Sequence, residues 1–392
     1  MRIVQVMPQY PFHMTDGGKV GLGNIALELI AQGHAVQVVC YAPAGTIPVH
    51  PAELNIRMVY HSTKNTPWRI ATSLLRTRAL YMWKHDRAAM QQAVEHAIID
   101  GDADIVIADH TCMAPVVQRA ARATKRPWAL RLHNIEWMIW QRYAEATTNS
   151  VKRWFVSRQA RLLRQEEAHM IAAANVALAI TPVDAERARE LAPTANVHVV
   201  PAGVHLQQWK RTRSPLHPPQ VIMASNYSWV HNADGLRWFV EHVWPQVHHE
   251  TGSSLHVVGT NVPTWLAEVH IQGVVTDGFV PDLAERYRHA SVSIAPLFVG
   301  SGMRIKILEA MAAGLPVVST TVGAEGIELF EHDGLFRADD ARTMTLKLVE
   351  LLKDADLCDR LGAVAQRRVD EQYSWTTAVR GMIRALETCN EG

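Results

Sequence analysis

Short apolar runs alternate with segments of helical spacing along almost the whole chain, and this alternation most narrows the choice of fold. The first run, Ile3-Val4-Gln5-Val6-Met7, leads into a loop with Asp16-Gly17-Gly18, then helical spacing from Asn24 to Ala31. Gly33-His34 stops that helix, and a second run, Ala35 to Tyr41, follows. Strand, helix and strand in that order predict a parallel pair, because parallel strands need a crossover and helices supply it. Runs at Asp104 to Ala108, Trp128 to Leu132 and Val176 to Ile180 continue the sheet. Pro201, Gly203, Pro215, Pro218 and Pro219 then surround the basic cluster Lys210-Arg211-Thr212-Arg213, which predicts a linker over 201–218.

A second series follows: apolar runs at Val221 to Ala224, Leu255 to Gly259, Ile271 to Val275, Val292 to Ala295 and Pro316 to Ser319. Helical segments at Ala233 to Val243, Leu283 to His289 and Lys306 to Ala313 separate them, and two further helices end the chain. The expected fold is α/β, with two Rossmann-like, doubly wound parallel-sheet domains over 1–200 and 219–370. Residues 371–392 are expected to form a helix returning towards the first domain. The domains are expected to face each other across a cleft, with ligands beyond the carboxyl ends of the strands.

The length of 392 residues suits two such domains. Cys40, Cys112, Cys358 and Cys389 have neither CxxC spacing nor a metal-like partner pattern, and read as reduced thiols. The chain starts on a strand-like run without the sections of a signal peptide, and its best apolar stretch, Met170 to Val183, is too short to span a bilayer. A cytoplasmic protein follows, peripheral at the inner face of the membrane if it meets one. Net charge is only +1, yet residues 1–180 carry 20 Lys and Arg against 13 Asp and Glu, and the rest 19 against 25. The basic half points to an anionic surface or acceptor on that side.

The stretch Pro296 to Glu328 carries the chemistry. A strand ends in Gly300-Ser301-Gly302, whose backbone can approach a ligand closely, and a helix starts with its N–H groups aimed at that spot. Arg304 and Lys306 stand in its first turn, where the helix dipole disfavours cations unless an anion is present, so they suit a diphosphate. Glu309, one turn on, is a good bidentate acceptor for a ribose diol. Gly314-Leu315-Pro316 then turns into the next strand.

With Leu308-Glu309-Ala310-Met311-Ala312-Ala313-Gly314-Leu315-Pro316-Val317-Val318 as its most specific signature, the chain resembles the family 4 nucleotide-sugar-dependent glycosyltransferases, which have the GT-B fold and retain anomeric configuration. The likeness extends to the early Gly-Gly loop, His133-Asn134, Pro201-Ala202-Gly203-Val204, Asn226 to Asp234, Gly278 to Asp282 and Gly323-Ala324-Glu325-Gly326. Together with Gly300 to Lys306, the last of these resembles the branch that assembles bacterial exopolysaccharide and surface glycans.

The resemblance implies that Glu309 holds the ribose and that Arg304, Lys306 and the Ser301 and Gly302 amides hold the diphosphate. It implies that main chain near Phe279 and Val280 pairs with the base, and that Gly17 and Gly18 border the phosphates and sugar. Asn226, Gly259, Gly300 and Met303 complete the expected donor-binding set. His133, at the end of a strand, is expected to act with Arg304 and Lys306 in catalysis, with Glu136 and Asp109-His110 as weaker candidates. The chain departs from the family where Ser301 replaces a common second glutamate, and where Ser225-Asn226-Tyr227-Ser228-Trp229 replaces a loop that usually supplies Arg and Lys.

In the retaining mechanism so implied, the leaving phosphate accepts the acceptor's proton and its charge is what catalysis stabilises. No cofactor and no metal are expected: Asp102-Ala103-Asp104 merely precedes a buried strand, and the histidines show no HExxH spacing. The expected partners are a nucleotide-sugar donor and a glycan or lipid-linked acceptor. Segments 67–85 and 151–164 mix cations with aromatics at helical spacing, as an anionic membrane surface or lipid-linked diphosphate would require, or as two solvated amphipathic helices would show. Nucleic acid is not expected.

Other classes fit less well. Gly18-Lys19-Val20-Gly21-Leu22-Gly23 has the wrong order for a dinucleotide fingerprint and lies too far after Met7, and no P-loop occurs. A nucleotide-sugar 2-epimerase shares the architecture, and a non-catalytic binding or scaffold protein remains the alternative that replacement of an acidic residue by Ser301 would allow.

Overall fold

The computed structural model describes residues 1–12, 17–209, 213–268, 271–300 and 302–390. Strands β1 (Arg2–Met7), β2 (Ala35–Ala42), β3 (Asn55–Tyr60), β4 (Ile105–Asp109), β5 (Trp128–Leu132), β6 (Val176–Ala179) and β7 (Val197–Val199) form one sheet. Its order is β3-β2-β1-β4-β5-β6-β7, and the neighbouring strands pair in parallel. The second sheet contains β8 (Gln220–Ala224), β9 (Ser254–Val258), β10 (Val274–Gly278), β11 (Val292–Ala295), β12 (Val317–Ser319) and β13 (Leu335–Arg337), again parallel, in the order β10-β9-β8-β11-β12-β13.

Central strands buried on both faces explain the near-continuous apolar runs: all five residues of β4 and of β5 are buried. Helices cover these sheets, and several begin on the residues that the capping rule selects. Thr181 accepts from the amide of Asp184 ahead of Pro182–Leu191, and Asp282 accepts from the amide of Glu285 ahead of Leu283–His289.

The chain divides into two units, Met1–Ala202 with Ala378–Gly392, and Gly203–Thr377. Residues 203–218, expected as linker, therefore lie within the second unit. There Val204 bridges Ser374, and Trp209 is buried with its ring 5.7 Å from that of Tyr287. Leu206 packs on the same core, and the amides of Ser214 and Leu216 donate to the carbonyls of Arg288 and His289. Lys210, Arg211 and Thr212 lie outside the described residues.

Other boundaries also differ from the expectation. The first helix is Gly17–Ala31, so Gly17 and Gly18 are its opening residues rather than a preceding loop. Burial of Leu22, Ile25, Ala26 and Leu29 holds glycine-rich turns helical against their propensity. Asp16 lies outside the described residues. Strand β10 sits three residues later than Ile271 to Val275, with a register shift between Thr276 and Gly278. Three helices, Ala341–Lys353, Ala355–Tyr373 and Trp375–Glu387, close the chain where two were expected.

Candidate functional site

In the second sheet the strand order reverses between β8 and β11, the position where doubly wound sheets open a crevice at their carboxyl edge. The loops that leave β8, β9, β10 and β11 gather most of the expected donor-binding residues. The loop after β11 runs into the helix Ile305–Ala312, and Arg304 is its N-cap residue, one position before the first turn where it was expected. Its Nη1 donates to the Gly302 carbonyl at 3.0 Å. Gly300 has φ +139°, and a Cβ there would run into the Arg304 guanidinium, so only glycine lets that side chain lie back over the loop. Met303 is partly buried against the second unit's core. Ser301 lies outside the described residues.

Lys306 reaches across to the β8 side of the crevice. Its Nζ donates to Ser225 Oγ at 2.7 Å and to Asn232 Oδ1 at 3.0 Å. Among the described residues no carboxylate lies within ion-pair distance of it. Burial pushes its pKa down to about 7, with Arg304 adding to the shift and Glu309 opposing it. The Glu309 carboxyl has no hydrogen-bond partner among the described residues, and burial pushes it up to about 7, with Lys306 opposing. His231 is lowered by burial and then by Arg304 and Lys306. Two cations, Arg304 and Lys306, and one carboxyl, Glu309, thus lie close enough to act on one another here.

The remaining expected residues frame this centre. Gly259, with φ +131°, occupies a position where a Cβ would run into the Ser225 carbonyl. Its amide donates to the Gly278 carbonyl at 2.7 Å, which continues the sheet into the loops. Phe279 is exposed and Val280 partly buried, and their main-chain groups make no hydrogen bond among the described residues. Asn226 Oδ1 already accepts from the Ser228 amide at 3.0 Å and from Asn261 Nδ2 at 3.2 Å, so it shapes the loop as well as bordering the site. Ser225, Asn232 and His231 were not singled out from the sequence. The signal that points to them is the lysine itself, which needs oxygen acceptors from the facing loop.

In the first sheet the order reverses between β1 and β4, and here the charges meet one another. Asp109, at the end of β4, is fully buried and receives Gln5 Nε2 at 2.5 Å, His133 Nε2 at 2.5 Å and Arg131 Nη1 at 3.3 Å. Burial raises its pKa, but Arg131 and His133 more than offset this and hold it below the usual carboxylate range. His133 is lowered by burial and then by Arg131. Its Nε2 also lies 2.9 Å from Arg131 Nη1, so one ring nitrogen faces both partners. His110 stacks on His133, ring centroids 3.7 Å apart and planes 8° from parallel, and takes φ +89°, a costly conformation for a residue with a side chain.

Glu136 lies in the first turn of Glu136–Ala146 and does not cap it. Glu167, from the helix Ser150–Ala173, performs that task by accepting the Glu136 and Trp137 amides at 3.0 Å each. Burial pushes Glu136 up to about 8 and Glu167 to about 7. Gly17 and Gly18 open the helix that follows β1. Among the described residues, no group of three or more His, Cys, Asp or Glu could hold a metal ion, and no helix is long and apolar enough to cross a membrane.

The two basic, aromatic segments are brought together. Arg158 donates to the carbonyls of Ser73, Leu74 and Arg76, at 3.4, 3.3 and 2.7 Å. Each segment divides between core and surface. Leu80, Met82, Val156, Ala160 and Leu163 are buried, while Trp68, Leu75, Val151 and Trp154 are between 60% and 90% exposed.

Residues 16–203 match the family model described as a glycosyl transferase 4-like domain, and residues 218–354 the model described as glycosyl transferases group 1. An uncharacterized 44.6 kDa protein in the cps region of Klebsiella pneumoniae is 22% identical over 178 residues, 43% of this chain and 46% of that one. The match thus spans about half the length of that relative. Among solved structures, sucrose-phosphate synthase from Thermosynechococcus elongatus superposes with a TM-score of 0.73 at 14% identity over 100% of both chains. The Anabaena protein HepE in complex with UDP gives 0.67 at 16% identity over 99% of this chain and 100% of that one, and has also been solved with UDP-glucose. At these identities the likeness is one of fold.

Proposed function

Because this chain belongs to the group 1, family 4-like glycosyltransferases and has their GT-B fold, we propose that its second unit binds a nucleotide-diphosphate sugar for transfer to a glycan or lipid-linked acceptor in surface-polysaccharide synthesis. One observation carries the reading: a half-buried lysine, a glycine-bordered loop and a carboxyl without a hydrogen-bond partner among the described residues converge at the carboxyl end of β11, where a doubly wound sheet takes its ligand. Lys306 and Arg304 meet the diphosphate, Glu309 the ribose diol, and the main chain of Phe279 and Val280 the base.

Transfer proceeds with retention. The acceptor oxygen bonds to the anomeric carbon on the face from which the diphosphate departs, the bond from that carbon to the phosphate oxygen breaks, and the acceptor's proton passes to the leaving phosphate. Lys306 and Arg304 stabilise the charge that develops on the diphosphate, so the step needs no metal. His133, in the first unit, is the remaining residue proposed to act in catalysis. A likeness to a cps-region protein and to a UDP-binding structure supports a UDP-sugar and a polysaccharide product. The joined basic and aromatic surface of 67–85 and 151–164 suits an anionic membrane carrying the acceptor.

Thermal shift with UDP-, GDP- and dTDP-sugars tests the donor site, since a ligand that binds only the folded protein raises its apparent stability. A shift with one base, lost in Glu309→Ala and Lys306→Ala, is expected; shifts unchanged in both variants reject the site. Proton NMR of the released or transferred sugar reads the anomer, and EDTA treatment reads the metal requirement. Sedimentation with anionic against zwitterionic vesicles, compared in Trp154→Ser, reads the membrane contact.

A further inference from the structure

We propose that Asn232, together with Ser225, is a positioning residue that holds the Lys306 ammonium ready for a nucleotide diphosphate, so that the ligand supplies the counter-charge the protein withholds. The inference rests on the donor site described above and concerns how that site is kept open.

Lys306 stands on one side of the strand-order reversal and its two acceptors on the other: Ser225 ends the run from β8, and Asn232 lies in the helix Val230–His242. Both acceptors are neutral oxygens. A carboxylate at either place would pair with the ammonium and compete with any anion. Two neutral acceptors instead fix the flexible stem and leave the charge available. Asn232 is itself locked: it is buried, and its Nδ2 donates to the Asn226 carbonyl at 2.8 Å, so its Oδ1 can only face the lysine. Asn226 in turn is fixed by Ser228 and Asn261. The chain Asn261, Asn226, Asn232, Lys306 therefore links the loops after β8 and β9 to the helix after β11.

The surroundings fit this assignment. The charged and titratable groups that act on Lys306 are Arg304 and Glu309 from its own loop and helix, while His231 on the facing helix is lowered by both cations and sits beside Asp234. Burial brings the lysine down to about 7, so an arriving diphosphate draws it back to the ammonium and binding takes up a proton near neutrality. A carboxylate at 232 would do the same in advance.

The test is calorimetric titration with UDP, and in parallel GDP and dTDP, across neutral to alkaline pH, on the full chain, Lys306→Met, Asn232→Asp and Ser225→Ala. In the parent, affinity is expected to fall as pH rises above about 7. Asn232→Asp is expected to weaken nucleotide binding at least tenfold at neutral pH and to flatten the alkaline fall, because the lysine then stays protonated. Ser225→Ala is expected to weaken binding several-fold with the alkaline fall kept, and it carries the test if Asn232→Asp does not fold by circular dichroism. If Lys306→Met loses binding while Asn232→Asp and Ser225→Ala keep parental affinity and pH profile, this inference alone is overturned. If Lys306→Met binds like the parent, the donor site falls and the inference with it.

Discussion

At the end of β4 the first unit gathers a carboxylate, a guanidinium and an imidazole in contact with one another; at the end of β11 the second unit seats an ammonium whose hydrogen bonds go to neutral oxygens. The two sheets share the same winding, with a reversal after their first three strands, so topology alone does not separate them. What differs is where the counter-charge comes from. In the first unit it is internal, and Asp109 and Arg131 together hold the His133 ring in place. In the second, among the described residues, no carboxylate lies within ion-pair distance of the ammonium, as the proposed anion site requires.

Exchanging a cation for an apolar residue in each unit is the strongest way to break the comparison. Arg131→Leu leaves Asp109 buried with one charged partner fewer and is expected to cost about 3–5 kcal/mol, read as a lowered urea midpoint. Lys306→Met is expected to cost less, about 1–3 kcal/mol, because Asn232 Oδ1 loses its donor but no internal carboxylate is orphaned, and to weaken binding of the nucleotide diphosphate roughly a hundredfold in calorimetry. Equal stability losses in the two variants would erase the distinction.

The pH dependence sharpens it. Glu309 accepts from both hydroxyls of a diol with both oxygens only as carboxylate, so affinity is lost as pH falls through its pKa of about 7; Lys306 acts only as ammonium, so affinity is lost as pH rises above about 7. Affinity for the cognate nucleotide sugar is therefore expected to peak close to pH 7, with up to about a tenfold loss per pH unit on the flanks. A flat profile from acid to alkaline pH would contradict it.

Gln5→Met gives the smallest effect. It removes one charge-assisted bond to Asp109, worth about 1.5–3 kcal/mol, but also the buried Gln5 Oε1, which has no partner and costs about 1–3 kcal/mol where it stands. The net change in thermal unfolding is expected to stay within about 1 kcal/mol, since Arg131 and His133 keep Asp109 paired.

The sequence discloses the site where it is local and hides it where it is assembled. Gly300, Arg304, Lys306 and Glu309 fall on one short segment, so a glycine loop and helical spacing suffice to group them. Asp109 and Arg131 are partners in the register of β4 and β5, and only the sheet brings them together. Had the two strands been aligned on their ends, that pair was within reach; the burial of Glu167 and the approach of Asn232 to Lys306 were not, because helix packing decides both. The same holds for the fold. Strands buried on both faces announce themselves, whereas β3, partly exposed at a sheet edge, and the three-residue β7 and β13 carry too little apolar contrast to stand out.

Gly259, expected in the donor-binding set, also bears on the lysine indirectly: the space a methyl would need there is taken by the Ser225 carbonyl. Growing a side chain at that point would dislodge the serine, and with it one of the two anchors of the ammonium. The affinity of the crevice for an anion is thus vulnerable to a single added carbon on the neighbouring strand end, at a residue that a search for charged or catalytic groups would pass over.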